Sequence, residues 1–126
     1  MNRRTTRASL LLLLVLAAST ALLAGCSLRL PSDVPGITGD ITSLVPGDGR
    51  PASIFVEGGP QPDGAVAQAA VVTITPSTQV FGPDGKSADP ATIVQGATVK
   101  VWFEGAVAES FPVQGSARAV QVVASP

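Results

Sequence analysis

Carboxylates are nearly all the reactive chemistry that this chain offers. It has no histidine and no tyrosine, and a single cysteine, Cys26. That composition removes Ser-His-Asp and Cys-His catalysis, imidazole acid–base work and thiolate or imidazole metal sites. No glycine-rich phosphate loop followed by Lys-Ser/Thr occurs. Glu104 and Glu109 flank a corner, and two carboxylates could in principle share acid–base chemistry. Five residues apart across a turn, however, they read first as solvated charges that keep a strand end from pairing with a neighbour. Asp84 and Asp89 could offer oxygens to Ca²⁺, but the six-ligand pattern of a dedicated loop is missing; a turn and a helix cap account for both. The residues therefore predict no enzyme, no cofactor and no metal. Trp102, the only tryptophan, could stack on a sugar, a base or a partner's side chain. Tryptophan is usually well buried, so burial inside a barrel or under the Gly58–Gly64 loop is the stronger expectation. Arg118 is its natural neighbour if the last two strands pair, placed to stack on the indole or to pair with Glu104. Trp102, Glu104, Glu109 and Arg118 are thus the candidate binding surface.

The elements that must position these residues lie between Thr98 and Val123. Val99, Val101 and Phe103 alternate with Thr98, Lys100, Trp102 and Glu104, the two-residue period of a half-buried strand. Gly105 breaks the run, Pro112 suits a corner or sheet edge because it has no N–H for a ladder, and a strand pattern resumes at Ala117–Val123. Upstream, Ile37–Leu44 and Ser53–Glu57 read as a strand hairpin around the turn cluster Pro46–Pro51, with Gly39 inviting a bulge. Gly58–Gly64 carries turn residues at almost every position and reads as loop. A third strand is expected from about Gln68 to Thr75, then a brief one at Thr78–Phe81, the tight turn Pro83-Asp84-Gly85-Lys86, and at most two helical turns over Asp89–Gly96. Five or six short strands with almost no helix predict an all-β domain, a small antiparallel barrel in which closure removes exposed edges.

The N-terminus is not part of that fold. Arg3, Arg4 and Arg7 precede the apolar run Leu10–Ala18, and Leu23-Ala24-Gly25-Cys26 follows. This is the charged, apolar, small-residue order of a secretory signal, and its end resembles a bacterial lipobox, in which the cysteine receives a diacylglyceryl group and becomes the first mature residue. An uncleaved spanning helix is the alternative, but it needs about 20 apolar residues, and Ser19-Thr20 interrupts this one. The division expected is a signal helix over 1–25, a Pro-punctuated tether over 26–36 and a barrel over 37–126. After cleavage 101 residues remain, with five basic and nine acidic side chains and a net charge of −4. That charge argues against a phosphate backbone as ligand, so no nucleic acid is expected. About 100 residues bury enough apolar surface to fold alone.

Several pieces together resemble a known family. Val101-Trp102-Phe103-Glu104-Gly105, then Val107-Ala108-Glu109-Ser110, Pro112-Val113-Gln114 and Ala117 are similar to the signature of the uncharacterised YobA-like bacterial lipoprotein domain. Ile37-Thr38-Gly39, Val56-Glu57-Gly58, Thr78, Asp84-Gly85-Lys86 and Gly96 fit as well. The resemblance spans about Ile37 to Val123 and implies a small OB-like barrel on a lipid anchor. It implies no activity, and the alanine-rich Ala65–Ala70 with the long loop before it departs from the family pattern.

The function expected is a binding or accessory module of the cell envelope, held to the extracytoplasmic face of the membrane through palmitate-type acyl chains at Cys26. Its partner would be an envelope protein, or else a glycan or small ligand. A carboxylate-based hydrolase is the weakest alternative.

Overall fold

The computed structural model describes residues 28–58, 63–65 and 67–126. The expected signal helix, the lipobox and most of the Gly58–Gly64 loop lie outside them. Among the described residues no helix is long and apolar enough to cross a membrane.

Six strands form: β1 (Ile37–Val45), β2 (Ser53–Gly58), β3 (Ala69–Thr73), β4 (Gln79–Phe81), β5 (Thr98–Phe103) and β6 (Val113–Ala124), with a short 3-10 helix at Pro90–Thr92. The sheet runs β3-β2-β1-β5-β6-β4 and closes through an additional β3–β6 pairing. Five strands therefore make the ring, in the order expected of an OB-like barrel, and β4 is an extra strand laid along β6. The expectation of a wholly antiparallel barrel is corrected here. An odd ring cannot alternate direction all the way round, so one pair must run parallel. That pair is β3 with β6, Ala70 opposite Val113 through Thr73 opposite Ser116. β4 also runs parallel to β6. A single 12-residue strand can serve both partners because β3 borders its first half and β4 its second.

The interior follows from alternation. Ile37, Ile54, Val56, Val72, Val99, Val101, Val120 and Val122 all point inward and are at most 4% exposed, and Ile93 plugs the end beneath them. At roughly 25 cal/mol per Å² of apolar surface removed from water, this closed core is what stabilises a domain whose described part has only two ion pairs. The bulge that Gly39 was expected to create lies three residues later, where Ile41 opposes Val56 and Ser43 opposes Phe55, leaving Thr42 extra. Gly39 has another use. A Cβ there would collide with the Glu57 backbone, as one at Gly58 would with the Thr38 carbonyl, so β1 and β2 cross closely at this point.

The short stretches behave as their turn chemistry dictates. Asp89 caps the 3-10 helix by accepting from the Ala91 N–H at 2.9 Å, with Pro90 at its first position. Asp84 Oδ1 accepts the Lys86 N–H at 3.0 Å, and Gly85 takes the positive φ of 77° that the turn requires. Both aspartates are thus a turn and a cap.

Candidate functional site

The outer surface of the barrel has two long walls, and they differ in what covers them. On the wall made by β4, β6 and β5, the alternation that points Val99 and Val101 inward turns Trp102 outward. Ala119 stands opposite it on β6, and Phe81 comes from β4. These three are nearly or fully buried and form a second small core, closed from outside by Leu30. Trp102 is 4% exposed, so its expected burial holds, but it lies outside the barrel interior and has its own cover among the described residues. That cover is the segment 28–36.

That segment, read from the sequence as a tether in which no fold is needed, is docked on the barrel from Leu30 to Gly36. The indole N–H of Trp102 donates to the Asp33 carbonyl at 2.7 Å. Arg118 donates to both carboxylate oxygens of Asp33 at 2.9 and 3.1 Å, in place of the expected Glu104. The Gly36 N–H donates to the Val101 carbonyl at 2.8 Å, which leads the segment into β1. The physical reason is that Trp102 and Phe81 would otherwise leave an apolar patch in water. Pro31 and Pro35 lower the entropy lost when the strap is ordered and bring no N–H in need of a partner. Arg118 reaches outward because the ladder slips beside it: Trp102 opposes Ala119, while Phe103 opposes Ala117.

Between strap and barrel runs an open groove of about 270 Å³, lined by the strap together with Asp63, Lys100, Trp102 and Gln121. Its polar groups are largely committed. Asp63 Oδ2 accepts from the Thr38 hydroxyl at 2.7 Å and lies 3.5 Å from Lys100 Nζ, while Oδ1 accepts the Ala65 N–H at 3.1 Å. Burial pushes the Asp63 carboxyl up, but the Thr38 and Ala65 hydrogen bonds and the Lys100 charge outweigh it and hold the group below its ordinary value. Asp63 works as a clamp that fixes the end of the β2–β3 loop to β1 and β5.

The corner between β5 and β6 presents the two glutamates. Glu104 and Glu109 are exposed, and the corner is held by its backbone, with the Glu104 N–H donating to Ser116 and the Ala108 N–H to Gln114. Phe111 stands 79% exposed at its end. The structure therefore does not gather the four candidate residues on one surface: Trp102 and Arg118 lie under or against the strap, whereas Glu104 and Glu109 sit on the corner.

Sequence reasoning missed the opposite wall, made by β1, β2 and β3. Two cross-strand rows run over it, Ser43–Phe55–Val71–Gln114 and Val45–Ser53–Thr73–Ser116. No member of either row is charged. Phe55 is half-buried at the centre, and a shallow hollow of about 260 Å³ lies beside it, lined by Ser43, Leu44, Val45, Ser53, Ile54, Phe55 and Val71. The signal was present in Ser53-Ile54-Phe55-Val56-Glu57, where inward Ile54 and Val56 force the aromatic ring outward.

Residues 64–124 match the model of a family described as "Protein of unknown function (DUF3221)", which shows the expected likeness to an uncharacterised domain family over β3 to β6. No curated protein and no solved structure matches the chain.

Proposed function

We propose, with that match to an uncharacterised family as the premise, that the chain is a lipid-anchored, non-catalytic binding module of the cell envelope. The observation that carries this reading is the contrast between the walls. One has its aromatic residue covered by the chain's own N-terminal segment, and the other presents, among the described residues, an aromatic centre and a hollow with no segment across them. The order Leu23-Ala24-Gly25-Cys26 supports attachment through acyl chains at Cys26, facing away from the cytoplasm. The partner reading is an envelope protein that docks on the Phe55 wall, with the Phe111 corner at its margin. Photo-reactive residues placed at Phe55, at Glu109 and, as a control, at Thr92 in full-length protein test it in intact cells. A recurring protein adduct at Phe55 but not Thr92 is expected; adducts that are equally scarce at all three sites would sink it.

A second reading, a neutral glycan, is favoured by the chemistry around Phe55. An aromatic ring flanked by hydroxyls and an amide, with no charge in either row, suits a sugar better than a phosphate or a peptide of defined charge, and OB-like barrels use this wall for oligosaccharides. Retardation of the protein in gels containing cell-wall polysaccharide, abolished by Phe55→Ala, is the expected outcome.

A further inference from the structure

The geometry points to a second docking surface, and to its occupant: the starting end of the strap, with the adjoining Pro83–Lys86 turn, is built to lie on an anionic lipid surface. This inference rests on lipid attachment at Cys26. Its own support is the docked strap and the placement of charge.

The strap is a fixture of the barrel from Leu30 onward, since Leu30 closes the Trp102 core and Asp33 and Gly36 are hydrogen-bonded to β5 and β6. Only three residues of chain lie between Cys26 and Leu30, and the four Cα steps, fully extended, reach at most about 14 Å. A barrel tied this closely to its acyl chains has little freedom to tumble. The end bearing Leu30 must be the end nearest the bilayer.

The cations without an acidic partner are placed to match, although the same turn also carries the exposed carboxylate of Asp84. The mature chain has five cations. Lys100 and Arg118 are ion-paired, and Arg50 donates to the Thr75 carbonyl. Arg29 and Lys86, both exposed, form no ion pair among the described residues. Those two lie at the same end. Arg29 immediately precedes Leu30, and Leu30 in turn reaches the turn that carries Lys86, since a Cβ at Gly85 would stand 3.9 Å from its Cδ2. Leu28, 55% exposed, adds an apolar side chain on the bilayer side of Arg29. A protein of net charge −4 thus turns Arg29 and Lys86, two of the three cations with no ion pair among the described residues, toward the place where anionic headgroups would be. β2 is the ring strand farthest from β5 and β6, so the Phe55 wall would face away from the membrane.

The test uses full-length protein purified from membranes. A lipidated Cys26 leaves an added cysteine as the single free thiol. A fluorophore is attached at Ser87→Cys, beside the turn, or at Ser43→Cys, on the Phe55 wall. The protein is reconstituted into phosphatidylglycerol/phosphatidylcholine vesicles carrying a headgroup-level nitroxide lipid. Severalfold stronger quenching at position 87 than at 43 is expected, shrinking when Arg29→Glu and Lys86→Glu are combined and when salt screens the surface. Equal quenching at both positions, or stronger quenching at 43, in protein whose intact mass includes the diacylglyceryl group overturns the orientation while leaving the anchor standing. An intact mass without that group overturns the anchor and this inference together.

Discussion

Trp102, near the end of β5, and Phe55, in the middle of β2, each point away from the barrel axis. Around Trp102 the chain supplies Phe81, Ala119, Leu30 and a backbone acceptor, so the ring is sealed and its one polar atom is satisfied. Around Phe55 it supplies serines, a threonine and a glutamine on flanking strands, and among the described residues no segment is laid across them. The first arrangement is that of a core; the second is that of a surface kept ready for something else. An aromatic residue on the outside of a small barrel therefore says little by itself. The deciding fact is whether another segment of the same chain has the apolar and backbone groups to cover it.

Mutations can break this contrast. Trp102→Ala should cost about 3–5 kcal/mol, since it empties the second core and strips the strap of its cover and its donor; denaturant midpoints measure this. Asp63→Asn should cost about 1–2 kcal/mol, because the Thr38 and Ala65 hydrogen bonds to a charged acceptor weaken. The same site gives a pH test. The folded carboxyl titrates below its ordinary value, so its contribution is complete above the unfolded value, near pH 4, and is lost as pH falls through the lower folded one. Asp63→Asn should therefore flatten the acid limb of the stability curve and leave the neutral region only uniformly lowered. Trp102→Phe keeps the ring and removes the N–H, at a cost of about 1 kcal/mol, with faster trypsin cleavage at Arg29 as the more sensitive readout. Phe55→Ala should stay under about 1 kcal/mol, as a half-exposed side chain would, while removing partner or glycan capture. Glu104→Gln with Glu109→Gln should shift stability by less than about 0.5 kcal/mol, and a larger loss would mean that the corner has a structural partner.

How far the sequence could be read follows the same division. Strand alternation located β1, β2, β5 and β6 within a few residues, and turn chemistry placed Asp84, Gly85 and Asp89 correctly, because both signals are local. The parallel closure was not legible in any segment, since it follows from the parity of the ring and not from residue preference. Nor was the strap. Ser27–Pro35 is short, polar in places and broken by prolines, and the order of its described part comes from Trp102 and Arg118, which lie more than 60 residues downstream. For Arg118, pairing of the last two strands suggests either the Trp102 indole or Glu104. The slip in register beside Arg118 instead sends it to Asp33. Alternation with Ile54 and Val56 turns Phe55 outward, but an outward aromatic is not by itself a site, and only the observed cover, or its lack, distinguishes the two walls.

The parallel seam also sets the order of events in folding. Hairpin pairs such as Val45 with Ser53 need only a short loop to close, whereas Ala70 meets Val113 across a long stretch of chain that includes β4 and β5. The entropy of bringing such distant segments together is lost before the seam repays it, so the seam should zip last and slowly, on the millisecond-to-second scale of small β-barrels. Until then the free edges of β3 and β6 are open templates for other chains. The window for mispairing should therefore be set by the last strand to arrive, and truncating the chain within β6 should convert the closed barrel into an aggregating sheet.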